Sequence, residues 1–187
     1  MRALKVTLAL VLCLTLLVAC GPAATTLIST PAKDMNLTAD QVGAGYTLSE
    51  EQGLEEFASS LDIANIDEVS DANYRMFQDE TGGVVLSLVI TLKQTATASD
   101  LKELTDGFEE GFTESMTGLT LEEFTAPAVG DEASVRGASF PDLGMAMYFM
   151  GFRKTNVIGV LAVVGTEEYA SESVIGGLGQ KLAAQIK

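Results

Sequence analysis

The chain has 187 residues, a formal net charge of −15 at pH 7 and no histidine. The absence of histidine excludes Ser-His-Asp and Cys-His catalysis, imidazole-ligated zinc, copper or haem, and a histidine pH switch. The excess of carboxylates repels nucleic acid and favours solubility, so we predict no nucleic-acid partner.

The first 19 residues have the character of an export leader. Arg2 and Lys5 form a basic start, and no charged residue occurs from Val6 to Ala19. This apolar run fits the core of a signal peptide and is shorter than the roughly 20 residues that a spanning helix needs. We therefore predict a signal peptide over residues 1–19.

The leader closes with Leu17-Val18-Ala19-Cys20, which resembles the bacterial lipobox. The resemblance implies cleavage between Ala19 and Cys20, a thioether-linked diacylglycerol on Cys20, and N-acylation by a fatty acid such as palmitate. Two or three acyl chains hold a protein firmly, since each buried CH₂ contributes about 0.8 kcal/mol. We predict a lipid-anchored, extracytoplasmic protein whose membrane partner is bound through Cys20, on either an inner or an outer membrane.

Cleavage would leave a chain without any available thiol. Cys13 would leave with the leader and Cys20 would carry the lipid, and these are the only 2 cysteines. Loss of Arg2 and Lys5 lowers Lys plus Arg from 11 to 9 against 26 Asp plus Glu, a net charge of −17. The fold must then depend on a hydrophobic core, which a chain of this length can build.

Composition divides the mature chain into two parts. Residues 20–36 are rich in Thr, Ala and Pro and predict a lipidated cysteine followed by a flexible tether. Residues 37–187 show no internal repeat and no second linker, and they predict a single globular domain.

Hydrophobic periodicity predicts alternating strands and helices in that domain. The predicted elements are a strand at 45–48, a helix at 50–61, an acidic loop at 62–73, a hairpin at 74–80 and 84–93, a helix at 98–116, strands at 119–126, 131–139, 145–153 and 157–165, and a helix at 170–186. Short connections favour antiparallel pairing. We therefore predict an α+β fold with helices packed on an antiparallel sheet.

Three motifs add a family resemblance. They are the decapeptide LTADQVGAGY at 37–46, VGDEA at 129–133 and GFRKTNVI at 151–158. Together with the amphipathic C-terminal helix, they resemble a group of small bacterial lipoproteins in which a GDEA turn precedes a strand and an FRKGN hairpin precedes the final helix. The resemblance implies a Mog1/PsbP-like α/β/α sandwich and carries no assigned activity. This chain has Thr155 where the group has Gly, so we expect Asn156 to supply the positive φ angle of that turn.

Two metal sites are alternatives. Asp62, Asp67, Glu68 and Asp71 crowd the predicted acidic loop, and Ca²⁺ prefers such oxygen ligands. Thioethers suit Cu(I), and three methionines lie within six residues, at 145, 147 and 150. On a strand, however, Met145 and Met147 share a face while Met150 points the other way, which favours core packing.

Two patterns suggest an enzyme. Ser99 and Lys102 match the S-x-x-K of penicillin-recognising serine enzymes, but the companion motifs are absent and a helix N-cap explains Ser99. Adjacent carboxylates at 50/51, 55/56, 109/110, 122/123 and 167/168 would serve a carboxylate-only hydrolase only if two faced one another across a cleft.

Four cations stand out in this acidic chain: Arg75, Arg136, Arg153 and Lys154. We expect them to balance neighbouring carboxylates, although Arg153-Lys154 at a hairpin tip would also suit an anionic partner. Our overall prediction is a non-enzymatic binding or structural accessory domain without a cofactor, whose protein or small-molecule ligand is unknown.

Overall fold

Seven strands form one antiparallel sheet in the computed structural model, which describes residues 25–56, 66–113 and 120–187. The strands are β1 (Thr47–Gly53), β2 (Val69–Gln78), β3 (Val84–Leu92), β4 (Glu122–Phe124), β5 (Glu132–Phe140), β6 (Met145–Lys154) and β7 (Val157–Thr166). The helices are α1 (Ala32–Met35), α2 (Ala39–Val42), α3 (Ala98–Thr113) and α4 (Glu172–Gln185). The predicted α+β class with an antiparallel sheet is confirmed.

The spatial order of the strands is β1-β2-β3-β7-β6-β5-β4. The first three strands form a meander, and the chain then passes through α3 to the opposite edge. From there β4 to β7 return strand by strand, and β7 pairs with β3 from Val84↔Val164 to Thr91↔Val157. Strands β3 and β7 therefore lie at the centre, and this position explains why both are apolar on both faces.

Helices cover both faces of the sheet. On one face α4 buries Ile175, Leu178, Leu182 and Ile186 against residues such as Phe152, as its 3, 4, 4 spacing predicts. On the other face Leu101 of α3 packs against β3 and β7, and Phe108 meets Phe149 edge to face at 6.2 Å between ring centroids. The result is a helix–sheet–helix layering.

The glycines of α4 allow the close approach that the sequence predicts. A Cβ added at Gly179 would lie 2.4 Å from the Sδ of Met150, a distance that real Cβ atoms do not reach. Ser171 caps the helix by accepting a hydrogen bond from the backbone N–H of Val174. Packing and capping together offset the low helix propensity of the glycines.

The predicted boundary between tether and domain at residue 36 is wrong. Ala32, Met35 and Leu37 are completely buried and belong to the core on the α4 face. The small residues and prolines of this stretch lower its average hydrophobicity, but two large apolar side chains suffice to attach it to the sheet. Among the described residues, Ile28 is the first that packs against this core. Residues 1–24, with the predicted leader and Cys20, lie outside the described residues.

Two predictions around β1 and β2 are also wrong. Residues 50–53, predicted as helix, continue β1, whereas residues 54–56 are helical as predicted; residues 57–65 lie outside the described part of the chain. Residues 69–73, predicted as loop, begin β2. Both stretches are polar, so neither shows the alternation by which a half-buried strand is found.

The turn between β6 and β7 differs from its prediction as well. Thr155 itself adopts the left-handed conformation, with φ of 58°, whereas Asn156 is only 2% exposed and is used as a hydrogen-bonding residue. A β-branched side chain is strained in this region by roughly 1–2 kcal/mol.

Replacement of Thr155 by glycine is expected to raise the free energy of unfolding by about 1 kcal/mol, because the strain exceeds the entropic cost of glycine. Chemical denaturation of the two proteins measures this difference. Thr155→Ala keeps the Cβ and should gain less than Thr155→Gly, so an equal or smaller gain for glycine would contradict the strained turn.

Candidate functional site

The GDEA and FRKTN motifs contact each other at one end of the sheet. Gly130 has φ of 63°, and a Cβ added there would lie 2.2 Å from the carbonyl oxygen of Arg153. The N–H of Asp131 donates to that same carbonyl at 2.7 Å, and Asp131 Oδ2 accepts from the N–H of Thr155 at 2.7 Å. Arg153 Nε pairs with Glu132 Oε2 at 2.9 Å. The motifs therefore fasten the start of β5 to the β6–β7 turn.

The two cations of that turn are engaged within the fold. Arg153 donates to the carbonyl of Ala96 at 3.2 Å in addition to its pairing with Glu132. Lys154 Nζ donates to the carbonyls of Ala183 and Ile186, at 3.1 and 2.7 Å, and so satisfies the C-terminal end of α4. The prediction of carboxylate partners is confirmed for Arg153, while Lys154 instead binds helix carbonyls.

The N-terminal segment, residues 28–37, enters the fold at this same end. The N–H of Ile28 donates to Asn156 Oδ1 at 2.7 Å, and Asn156 Nδ2 donates to the carbonyls of Ile28 and Leu92 at 3.1 and 2.9 Å. Thr30 Oγ1 donates to the carbonyl of Lys187. We call this the anchor end: it comprises the end of β3, the β6–β7 turn, the start of β5 and the C-terminus of α4.

A buried amide holds the other half of the N-terminal segment. Asn36 is 1% exposed, and its Nδ2 donates to the carbonyls of Asn73 and Ser87 and to Asn73 Oδ1 at 2.8–3.2 Å. Its Oδ1 accepts from the N–H of Leu37 and from the hydroxyl of Ser87. The sequence patterns do not mark Asn36 or Asn156 as buried hydrogen-bonding residues; the available signal is an asparagine directly beside large apolar residues, since a buried amide needs partners.

The opposite end of the sheet, which we call the far end, consists of the turns at 79–83, 141–144 and 166–172. Leu143 is 71% exposed and Tyr169 is 42% exposed there. Partial burial raises the pKa of the Tyr46 phenol, and the nearby Asp79 and Tyr169 raise it further. These turns thus combine exposed apolar groups with carboxylates.

Arg136 is the centre of an ionic cluster between β5 and α3. Its Nη1 lies 2.8 Å from Glu109 and 3.4 Å from Asp106, and its Nη2 lies 3.4 Å from Glu123. The hydrogen bond from Lys102 lowers the pKa of Asp106, and Arg136 lowers it further. A general acid needs a raised pKa instead, so this carboxylate cluster does not favour the hydrolase alternative.

A small open pocket of about 230 Å³ lies beside this cluster at the β4–β5 edge. Its lining residues are Glu123, Phe124, Ala126, Ala133, Ser134, Val135 and Arg136. The Phe124 and Tyr148 rings pack together nearby, at 5.4 Å between centroids. The pocket therefore has both a charged wall, formed by Glu123 and Arg136, and an apolar wall.

The structure does not assemble the predicted calcium site from the residues that it describes. Asp67 and Glu68 lie in a short 3₁₀ turn, and Asp71 lies on β2, where Oδ2 accepts from the N–H of Ala32 at 2.7 Å. Asp62 lies outside the described residues. Within the described ranges, no three Asp, Glu, Cys or His residues come together as a metal site.

The methionines divide as the strand period predicts. Met147 belongs to the core on the α3 face, and Met150 belongs to the core on the α4 face. Both are fully buried. They therefore do not converge on one Cu(I) ion, and the core interpretation is favoured.

Ser99 and Lys102 lie three residues apart near the start of α3, and both the helix cap and the partner of Lys102 are other residues. Thr97, rather than Ser99, caps α3: its Oγ1 accepts from the N–H of Asp100 at 3.2 Å, and Asp100 Oδ2 accepts from the N–H of Thr97 at 2.7 Å. Lys102 forms an ion pair with Asp106 one turn along the helix.

Arg75 confirms the prediction that the minority cations balance carboxylates. Its Nη2 lies 2.8 Å from Glu51, and Nη1 donates to the carbonyl of Leu37 at 2.9 Å. The hydrogen bond from Arg75 lowers the pKa of Glu51. Arg75 thus joins β1 and β2 to the N-terminal segment.

The fold has relatives among solved structures. It is similar to the extracellular domain of PknH from Mycobacterium tuberculosis, with a TM-score of 0.54 and 9% identity, over 83% of this chain and 94% of that one. A second match, an uncharacterized protein of Mycobacterium smegmatis that is the Rv0999 ortholog, has a TM-score of 0.40 and 8% identity, over 80% and 96% of the two chains. At these identities the first likeness concerns the fold alone.

No protein-family model matches the chain, and no curated protein matches it either. Within the residues that the structure describes, no helix is long and apolar enough to cross a membrane.

Proposed function

We propose that this protein is a bacterial lipoprotein, held by acyl chains on Cys20 at the extracytoplasmic face of a membrane, whose folded part acts by binding and not by catalysis. The carrying observation is the leader with its closing Leu17-Val18-Ala19-Cys20. After Cys20 the sequence contains no further cysteine, so the thiol has no other structural use.

The fold supports this location. A domain of the same fold occurs as the extracellular domain of PknH. Ile28, which is hydrogen-bonded to Asn156, follows Cys20 by only eight residues, so a lipid on Cys20 would hold the domain close to the membrane. Membership of the GDEA and FRKxN lipoprotein group is part of the proposal, and the contacts between the two motifs at the anchor end support it. A Mog1/PsbP-like fold is part of the proposal as well, and the helix–sheet–helix layering supports it.

The binding role is supported by how the titratable groups are used. Arg136, Arg153 and Arg75 pair with carboxylates, and the pKa values of Asp106 and Glu51 are lowered. Such groups stabilise the fold but are poor proton donors at neutral pH. The exposed Leu143 and Tyr169 and the pocket at the β4–β5 edge offer surfaces for a protein or small-molecule ligand.

Replacement of Cys20 by serine is expected to abolish incorporation of a fatty-acid label and to leave the precursor uncleaved. Without the thiol, diacylglycerol cannot attach, and lipoprotein cleavage depends on that attachment. Metabolic labelling with a palmitate analogue in a bacterial host, followed by gel mobility, measures both effects.

Cys13→Ser is the matched control, because it removes a thiol from the same leader but leaves the lipobox intact. This variant should be labelled and cleaved like the parent chain. Unchanged labelling and cleavage of the Cys20→Ser protein would overturn the lipoprotein proposal.

A further inference from the structure

The chain between the proposed lipid and the fold is short. Residue 28 follows Cys20 by eight residues, so this stretch spans at most about 28 Å, and about 16 Å on average for a flexible chain. Ile28 is bound to Asn156 through both of its backbone groups. β6, with 10 residues, extends about 30 Å from the anchor end to the far end. The distance from the proposed membrane attachment to the anchor end is therefore shorter than the length of the sheet.

Positive charges lie mainly at the anchor end. Of the nine Lys and Arg residues that follow Cys20, those at or beside the anchor end are Lys33, Lys93, Arg153, Lys154 and Lys187. They are mixed with carboxylates, among which Asp131 and Glu132 are bonded within the fold, while Asp67 and Glu68 are exposed. This end has a mixed charge.

The far end carries charge of one sign. Its turns contain six carboxylates and no Lys or Arg: Asp79, Glu80, Asp142, Glu167, Glu168 and Glu172. Bacterial membranes present anionic phospholipid headgroups, which repel carboxylates within about one Debye length, roughly 8 Å. An orientation that brought the far end to the bilayer would meet this repulsion without any compensating cation.

We propose that the anchor end of the domain faces the phospholipid headgroups, and that the far end, with Leu143 and Tyr169, points away from the bilayer. This inference rests on the proposed lipid anchor. The short tether sets which end is near the membrane, and the uneven charge prevents the domain from lying on its far end. A partner in the extracytoplasmic space therefore meets the far end first.

The test compares energy transfer from two single labels to fluorescent lipids in vesicles of phosphatidylcholine and phosphatidylglycerol. Glu68→Cys labels the anchor end and Leu143→Cys labels the far end; both positions are exposed, so folding is preserved. In the lipidated protein Cys20 is acylated, and the introduced thiol is the only one left to label. Transfer from position 68 should exceed transfer from position 143 by about twofold or more, given the roughly 30 Å between the ends.

Equal transfer from both positions, or greater transfer from position 143, would overturn the orientation. To separate this result from a failure of lipidation, the same two variants without residues 1–20 would carry an N-terminal hexahistidine tag and bind nickel-chelating lipid in the same vesicles. Suppose that the protein takes up no fatty-acid label, but transfer from position 68 still exceeds transfer from position 143 when the tag holds the domain. This result would overturn the lipoprotein proposal alone. Equal transfer from positions 68 and 143 in both arrangements would overturn the orientation.

Discussion

Replacement of Phe152 by alanine is expected to lower the free energy of unfolding by about 3–5 kcal/mol. Phe152 is completely buried between the sheet and α4. Its ring fills the space above Gly159, where an added Cβ would lie 2.5 Å from the ring carbons, and Leu182 closes the same space from α4. Truncation would leave a cavity that neither neighbour can fill, so both the burial and the packing of the ring would be lost.

Urea denaturation of the parent and the variant measures this loss. Leu143→Ala is the matched control, because that side chain is large and apolar but 71% exposed; its effect should stay within about 0.5 kcal/mol. A loss below about 1 kcal/mol for Phe152→Ala would show that the layer beneath α4 is not close-packed.

Replacement of Asn36 by alanine should cost about 2–4 kcal/mol and should release the N-terminal segment from the sheet. The change removes a donor to Asn73 and to the carbonyl of Ser87, and it removes the acceptor of the Leu37 N–H. These groups are buried, so the lost hydrogen bonds cannot all be replaced by water. The cost therefore exceeds that of an ordinary exposed hydrogen bond.

Amide hydrogen exchange tests this prediction, because it measures protection separately for each segment of the chain. Amides of residues 28–37 should exchange faster in Asn36→Ala, while those of β6 and β7 keep most of their protection. Lys33→Ala, at an exposed position in the same segment, should leave the exchange of residues 28–37 unchanged. If the two variants gave the same pattern, Asn36 would not be what holds the segment.

A released segment would also change how the proposed lipid anchor holds the domain. The packed residues 28–37 shorten the chain between Cys20 and the fold, and Asn156 fixes where that chain leaves the sheet. With the segment free, the reach of the tether would increase with the square root of its length. The hydrogen bonds of the buried Asn36 and Asn156 therefore affect the proposed orientation at the membrane as well as stability.

Part of the fold follows directly from local patterns. The 3, 4, 4 spacing of Ile175, Leu178, Leu182 and Ile186 predicts α4 and its buried face, and all four side chains are buried. Alternation along β6 predicts that Met147 and Met150 lie on opposite faces, as the two cores show. These predictions succeed because the apolar residues repeat with the period of the element that they form.

Predictions fail where polar residues are buried with partners from distant parts of the chain. Residues 28–36 have the composition of a tether, yet Asn36 bonds to Asn73, 37 residues away, and Ile28 bonds to Asn156, 128 residues away. The beginning of β2 has the composition of an acidic loop, yet Asp71 accepts from the N–H of Ala32. Composition shows that burying such polar groups would cost free energy, but it does not show which distant group will form the hydrogen bond that offsets this cost.

The sequence alone therefore determined the α+β class, the long helices and the central strands, because each depends on a run of neighbouring residues. The leader over residues 1–19 depends on the same kind of local pattern and stays a prediction. Only the tertiary structure decided that Ala32 and Met35 belong to the packed core and that Thr155 carries the positive φ angle. It also decided that the GDEA and FRKTN motifs serve to join β5 to the β6–β7 turn. These features depend on hydrogen bonds between residues far apart in the chain, and no local pattern encodes which distant group will satisfy a buried donor or acceptor.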